Sequence, residues 1–176
     1  MDKKTLLAIS GSLRSGSYNT AVLEAMCELA PNPFEIKLAD ISQLPLFNPD
    51  LENQNIESVI ALKAAVGSAS GLIIASPEYA HGISGPMKNA LDWLVSGVEF
   101  PYKPIMLCNT SPRASHALAA LTEVLTTMSG EIFDDAYVSV PLLGSELDKA
   151  GVLSNEKLSN TLESQLAKFC SHIKTL

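Results

Sequence analysis

The sequence is short of basic charge, cysteine and aromatic residues, and it contains no long apolar run. Twelve Lys and Arg stand against nineteen Asp and Glu, for a net charge of -7 and a pI of about 4.9. So acidic a chain lacks the basic footprint of a nucleic-acid binder. An anionic ligand would have to be held locally, by amides and one or two cations, against an unfavourable overall field. The three cysteines, Cys27, Cys108 and Cys170, are far apart, with no CxxC and no Cys/His cluster. That argues against a metal site or a disulfide framework and suits reduced core thiols in a cytoplasmic protein. No apolar stretch approaches the ~20 residues that span a bilayer. The short run after Lys4 breaks at Ser10-Gly11, so it does not read as a secretory signal.

Two phosphate signatures are also missing. Gly11 and Gly16 have the spacing of a Walker A loop, but Ser17-Tyr18 stands where Lys-Ser/Thr should follow. Without that lysine the loop cannot reach β and γ phosphates in the usual way. No GxGxxG is present, so the dinucleotide fingerprint is unmet. The loop has no cysteine either, which excludes a small tyrosine phosphatase using Arg14 as its clamp.

What is present is a globular chain of 176 residues, 47% hydrophobic and 18% charged, the size of a single domain over residues 1–176. Thr5-Leu6-Leu7-Ala8-Ile9, Gly71-Leu72-Ile73-Ile74-Ala75 and Pro104-Ile105-Met106-Leu107-Cys108 are continuous apolar runs, the pattern of strands buried on both faces. Phe34 to Leu38 alternates, as expected nearer a sheet edge, and Ile132 to Val140 reads as a fifth, less apolar strand. Helical stripes follow: Val22, Ala25, Met26, Leu29; Ile56, Val59, Leu62, Val66; Met87, Ala90, Leu91, Leu94; Leu118, Leu121, Leu125, Met128; and Leu158, Leu162, Phe169, Ile173. Asp40 to Asn55, with Pro45 and Pro49, reads as a long surface loop. Strand and helix alternate five times, which predicts an α/β fold with a parallel sheet and helices on both faces. Ligands bind such sheets outside the carboxyl ends of the strands. Three polar loops fall at that end.

The first loop carries hydroxyls at Ser10, Ser12, Ser15 and Ser17, a guanidinium at Arg14 and an amide at Asn19, and it opens onto a helix N-terminus. Amides and helix dipole together favour a monophosphate dianion there; the alternative is a solvated turn with a serine N-cap. The second loop is Ser76-Pro77-Glu78-Tyr79-Ala80-His81-Gly82-Ile83-Ser84-Gly85, and the third runs from Asn109 through Ser111 and Arg113 to Ser115.

Gly11-Ser12-Leu13-Arg14 with Ser17 and Asn19 resembles the GSxRxxSxN loop of the NADPH-dependent FMN reductase family, the flavodoxin-like quinone, chromate and azo reductases. Pro77-Glu78-Tyr79, Gly85 and Lys88-Asn89-Ala90-Leu91-Asp92-Trp93 resemble that family's second loop and the helix after it. The resemblance covers roughly residues 4 to 170. It implies a flavodoxin-like three-layer sandwich with a five-stranded parallel sheet of order 2-1-3-4-5. It implies FMN, with its ribityl phosphate on Ser12, Arg14, Ser17 and Asn19 and a backbone amide from Tyr18. Pro77, Glu78 and Tyr79 would meet the flavin ring, with Ala80 and His81 beside them. Tyr79 could instead be a core or interface aromatic, and a lone loop histidine such as His81 is more often solvated than catalytic. Ser111 and Arg113 would reach the ring's O2 region, or Arg113 the phosphates of NADPH; a surface arginine is the alternative. The family's glycine-rich third loop is replaced here by Ser111-Pro112-Arg113-Ala114-Ser115.

The activity so implied is an FMN-dependent NAD(P)H oxidoreductase. NADPH or NADH would be the hydride donor, and a quinone, azo compound, metal oxyanion or free flavin the small-molecule acceptor. Hydride transfer to flavin N5 needs no protein nucleophile, so no catalytic side chain is expected. Lys88, Asn89, Asp92 and Trp93 are expected to fix packing or an interface. The family's habit implies a homodimer or homotetramer. The alternative is a flavodoxin-type electron carrier with no NAD(P)H site of its own.

Overall fold

Short apolar runs separated by amphipathic segments can hide both sheet faces only if helices cover both, and the computed structural model shows this arrangement. It describes residues 3–111, 113 and 115–175. The main-sheet strands are β1 (Lys4–Ser10), β2 (Phe34–Leu38), β3 (Gly71–Ala75), β6 (Pro104–Asn109), β7 (Glu131–Ile132) and β8 (Val138–Ser139). All pair parallel, in the order β2-β1-β3-β6-β7, with β8 also on β6. Facing positions include Leu6 with Ile36, Ala8 with Ile73, and Ile74 with Leu107. With β7 and β8 taken as two halves of one strand, this is the 2-1-3-4-5 order of a flavodoxin-like sheet.

Successive side chains of a strand point to opposite faces, and the core divides accordingly. Leu6, Ala8, Ile73, Ala75, Met106 and Cys108 pack under α1 (Tyr18–Glu28), α5 (Lys149–Ser154) and α6 (Glu156–Thr175). Leu7, Ile9, Leu72, Ile74, Ile105 and Leu107 pack under α2 (Glu57–Ser68), α3 (Gly85–Leu94) and α4 (Ser115–Thr127).

Three expectations change. The strand expected from Ile132 to Val140 is broken by a 3-10 turn at Asp134–Ala136, so only its ends pair with β6. Two adjacent aspartates are poor strand formers, and they sit where the ladder opens. The second loop contains an antiparallel hairpin, β4 (Glu78–Tyr79) with β5 (Gly82–Ile83). The segment before the last helix folds into α5, capped by Asp148, whose side chain accepts from Gly151 N. The Asp40 to Asn55 loop is as expected, apart from a 3-10 turn at Pro49–Leu51.

Candidate functional site

β1 delivers the first loop to the end of the sheet, and the loop's first residue has no room for a side chain. A Cβ on Gly11 would lie 2.8 Å from both Ser76 Oγ and Ser84 Oγ and 3.0 Å from Met87 Cβ. Gly11 N donates to Ala75 O at 2.8 Å, extending the β1–β3 ladder. Ser84 Oγ donates to Gly11 O at 2.5 Å while accepting from Met87 N, so one buried hydroxyl caps α3 and ties it to the first loop. Further on, Ser17 caps α1, its side chain accepting from Thr20 N. The α1 amides before Thr20, those of Tyr18 and Asn19, meet no acceptor among the described residues. These orphan amides are what a helix N-terminus offers an anion.

The first and third loops meet at Asn19, whose Oδ1 accepts from Thr110 Oγ1 at 3.1 Å; both residues are buried. That bond leaves the Asn19 NH2 group as a donor. Asn109 Oδ1 turns back to accept from Ser111 N at 2.9 Å. Leu142 N donates to Thr110 O at 3.0 Å and draws the segment after β8 against the same loop. In the second loop, Glu78 Oε2 accepts from Ala117 N at 2.9 Å, so the carboxylate caps α4.

Together the three loops enclose a cavity of about 310 Å³. Ser12, Arg14, Ser17, Tyr18 and Asn19 form one wall. Pro77, Glu78 and Tyr79 form the second, and Ser111 and Arg113 the third. Ten of the twelve residues singled out from the sequence are therefore brought to one place. Ala80 and His81 are not: they form the tip of the β4–β5 hairpin, beyond the wall, because the chain reverses immediately after Tyr79. Pro112 and Ala114 lie outside the described residues. The cavity adds Ser76, Thr110 and Leu143. Ser76 and Thr110 adjoin residues already picked out, so proximity in sequence was the available signal. Leu143 carried none, since it arrives only through the Leu142–Thr110 bond.

The wall's charge is one-sided. Arg14 and Arg113 are exposed and take part in no ion pair among the described residues. Glu78 is the sole carboxylate in the wall, and one of its oxygens is committed to Ala117 N. Hydroxyls of Ser12 and Ser17, the Arg14 guanidinium, the Asn19 amide and the backbone amides of Tyr18 and Asn19 are thus available as donors on the first-loop wall, a set suited to a phosphate monoester. Pro77, Tyr79 and Leu143 add apolar surface to the same lining. Cys108, at the end of β6, supplies no thiolate: burial pushes its pKa up to about 12.

The Lys88 to Trp93 segment is held away from this chemistry. Asn89 Oδ1 accepts from Phe47 N at 2.7 Å and its Nδ2 donates to Pro45 O at 2.9 Å. Trp93 Nε1 donates to the same carbonyl at 2.8 Å. Lys88 pairs with Asp92 one turn along the helix. These residues fasten the long loop to α3, as the sequence reading expected.

Known proteins place the chain. The sequence profile described as NADPH-dependent FMN reductase matches residues 5–141. The NAD(P)H-dependent FMN reductase of Pseudomonas aeruginosa is 32% identical over 171 residues, covering 94% of this chain and 92% of that protein. The quinone reductase of Escherichia coli is 32% identical over 115 residues, 62% of this chain and 61% of the relative. Among solved structures, the flavoenzyme NAD(P)H:(acceptor) oxidoreductase FerB from Paracoccus denitrificans superposes with a TM-score of 0.78 at 26% identity, over 98% of each chain. With this profile and the Pseudomonas aeruginosa relative matched over most of its length, and a three-loop cavity at the carboxyl ends of a 2-1-3-4-5 sheet, the chain belongs to the NADPH-dependent FMN reductase family and is an FMN-dependent NAD(P)H oxidoreductase.

Proposed function

We propose that this chain, as one flavodoxin-like domain, holds FMN in the three-loop cavity and reduces quinones at the expense of NADPH or NADH. The observation that carries the reading is the donor set at the head of α1, joined through Asn19 and Thr110 to the third loop, in a cavity that Pro77, Tyr79 and Leu143 also line. Ser12, Arg14, Ser17 and Asn19 bind the phosphate with their side chains, and Tyr18 and Asn19 add backbone amides. Pro77 and Tyr79 flank the ring, and the Glu78 and Tyr79 backbone serves its polar edge. Ser111 and Arg113 close the pyrimidine side, where a cation favours the reduced, anionic ring. Bound FMN supplies the hydride-accepting and electron-donating chemistry.

The protein's part is positioning. Asn19, Thr110 and Glu78 fix the three loops relative to one another, so donor and acceptor meet the same ring face in turn. The open mouth suits an exchange in which the oxidised donor leaves before the acceptor enters. Quinones are the acceptor class named for several relatives, the Escherichia coli enzyme among them. Exposed Leu46, Val95 and Val98, on α3's end and the loop strapped to it, support a homodimer or homotetramer. No described helix is long and apolar enough to cross a membrane, which is compatible with a cytoplasmic enzyme.

The test is anaerobic. FMN-loaded protein is mixed with NADPH or NADH and followed at the flavin band, then a benzoquinone is added. Bleaching within seconds, and recovery of the colour on adding the quinone, is the expected result. A flavin that stays oxidised with both donors would instead mark an electron carrier. Bleaching without recovery would remove quinones as the acceptor.

A further inference from the structure

Two histidines lie stacked outside the cavity lining. The rings of His81 and His116 are 4.3 Å apart between centroids and within 11° of parallel. His81 occupies the tip of the β4–β5 hairpin; His116 is the second residue of α4, just beyond Arg113 in sequence. Both are exposed, so burial does not force the pair together. The hairpin tip is held in an uncommon conformation, with Ala80 at φ 49° and His81 at φ 61°. Two consecutive positive φ values are those of a two-residue type I′ hairpin turn, which fixes the backbone direction at His81. The Glu78–Ala117 bond anchors the hairpin's base to the same turn of α4 that carries His116.

Position gives the pair a role. The cavity, at about 310 Å³, is at the small end for a ligand site. Once FMN fills it, a nicotinamide dinucleotide laid on the ring must run its adenosine half out over the rim. Tyr79 and Arg113 line the cavity, and His81 and His116 follow them by two and three residues, so the stacked pair lies next to this part of the rim. The first turn of α4 contains no acidic residue. Glu78 is the one carboxylate facing this corner that the hydrogen bonds identify, and its Oε2 is occupied by Ala117 N. On a protein of net charge -7, this corner gathers a guanidinium and two imidazoles. Each imidazole carries ring nitrogens at its edge, so one phosphate dianion lying against both edges can accept from both rings.

We infer that His81 and His116, stacked at the rim, form the subsite that reads the 2′-phosphate of NADPH and so sets the preference for NADPH over NADH. The inference rests on the NAD(P)H-oxidising activity proposed above.

Binding and turnover together test it. Binding of NADP⁺ and NAD⁺ to the FMN-loaded protein is measured by calorimetry for the wild type, His116→Ala and His81→Asn. Asparagine is chosen at 81 because it tolerates positive φ. The wild type should bind NADP⁺ about tenfold more tightly than NAD⁺. Each variant should lose most of that preference while binding NAD⁺ within about twofold of wild type, which also reports an intact fold. kcat/KM should fall for NADPH and stay level for NADH. A wild type without preference, or variants that keep it, overturns the subsite while leaving the oxidoreductase reading standing. If neither donor reduces the flavin, that reading falls and the subsite with it.

Discussion

Gly11 shows how a single residue can be fixed by its neighbours. Nothing in its backbone angles demands glycine; the crowding from Ser76, Ser84 and Met87 does. Gly11→Ala should therefore push the first loop off α3, costing about 1–3 kcal/mol as overpacking does. A lowered urea midpoint together with weaker FMN binding is the expected outcome. Gly16 makes the contrast: a Cβ there meets only the flexible end of Arg14, at 3.5 Å. Gly16→Ala should leave the midpoint within error. Arg14 itself is exposed and in no ion pair among the described residues, so its removal should spare the fold. Arg14→Ala should weaken FMN binding by about 1.5–3 kcal/mol, the worth of a charge-assisted hydrogen bond. Titration of the apoprotein by flavin fluorescence measures this, and equal affinity would take Arg14 out of the phosphate site.

At the scale of elements, the helices do more than cover the sheet. α1 presents its N-terminal amides, α3 carries the serine that holds Gly11, and α4 is capped by a carboxylate from the facing hairpin. The edge strand β2 shows a different economy. Glu35 takes Lys3 Nζ at 2.6 Å, Lys37 Nζ at 3.1 Å and Thr5 Oγ1 at 2.9 Å. These partners, Lys3 foremost, lower its pKa from 4.5 to about 2. A carboxylate depressed on folding contributes stability above its unfolded pKa and loses it as pH falls through the folded one. Wild-type stability should thus drop between about pH 4.5 and 2 more steeply than that of Glu35→Gln. Urea midpoints of the two proteins at pH 6 and pH 3 decide it: parallel losses would show that Glu35 contributes nothing. Elements also explain what was hard to read. The β4–β5 strands are two residues each, and their turn is Ala80-His81 rather than an Asn-Gly type signal, so the hairpin left no sequence trace. The apolar fifth strand was legible, but the Asp134-Asp135 break within it was not, because its hydrophobic ends looked continuous.

For the molecule as a whole, folding and cofactor binding are coupled. The three loops proposed to hold FMN follow three adjacent parallel strands, β1, β3 and β6, and are cross-linked by Asn19–Thr110 and Ser84–Gly11. A ligand that binds only this assembled arrangement stabilises it by mass action, about 2.7 kcal/mol at a hundredfold excess over its Kd. FMN should raise Tm in a concentration-dependent manner, and the rise should be much smaller in Arg14→Ala at the same FMN concentration. A Tm indifferent to FMN would mean that the cavity does not take the cofactor.

The sequence by itself determined the alternation of strands and helices, marked out the candidate phosphate loop and argued against an ATP site, because these rest on local matters: apolar periodicity, the residue after Gly16, the hydroxyls before α1. Most of the cavity wall was legible for the same reason, since ligand loops in this fold are contiguous stretches just after strands. Only the tertiary structure decided that Leu143 joins that wall, that Gly11 is needed for its neighbours rather than for its own backbone, that Glu78 serves α4, and that His81 lies against His116 instead of lining the cavity. Each of these depends on segments distant in sequence being brought within a few ångströms, and no local pattern encodes such an approach.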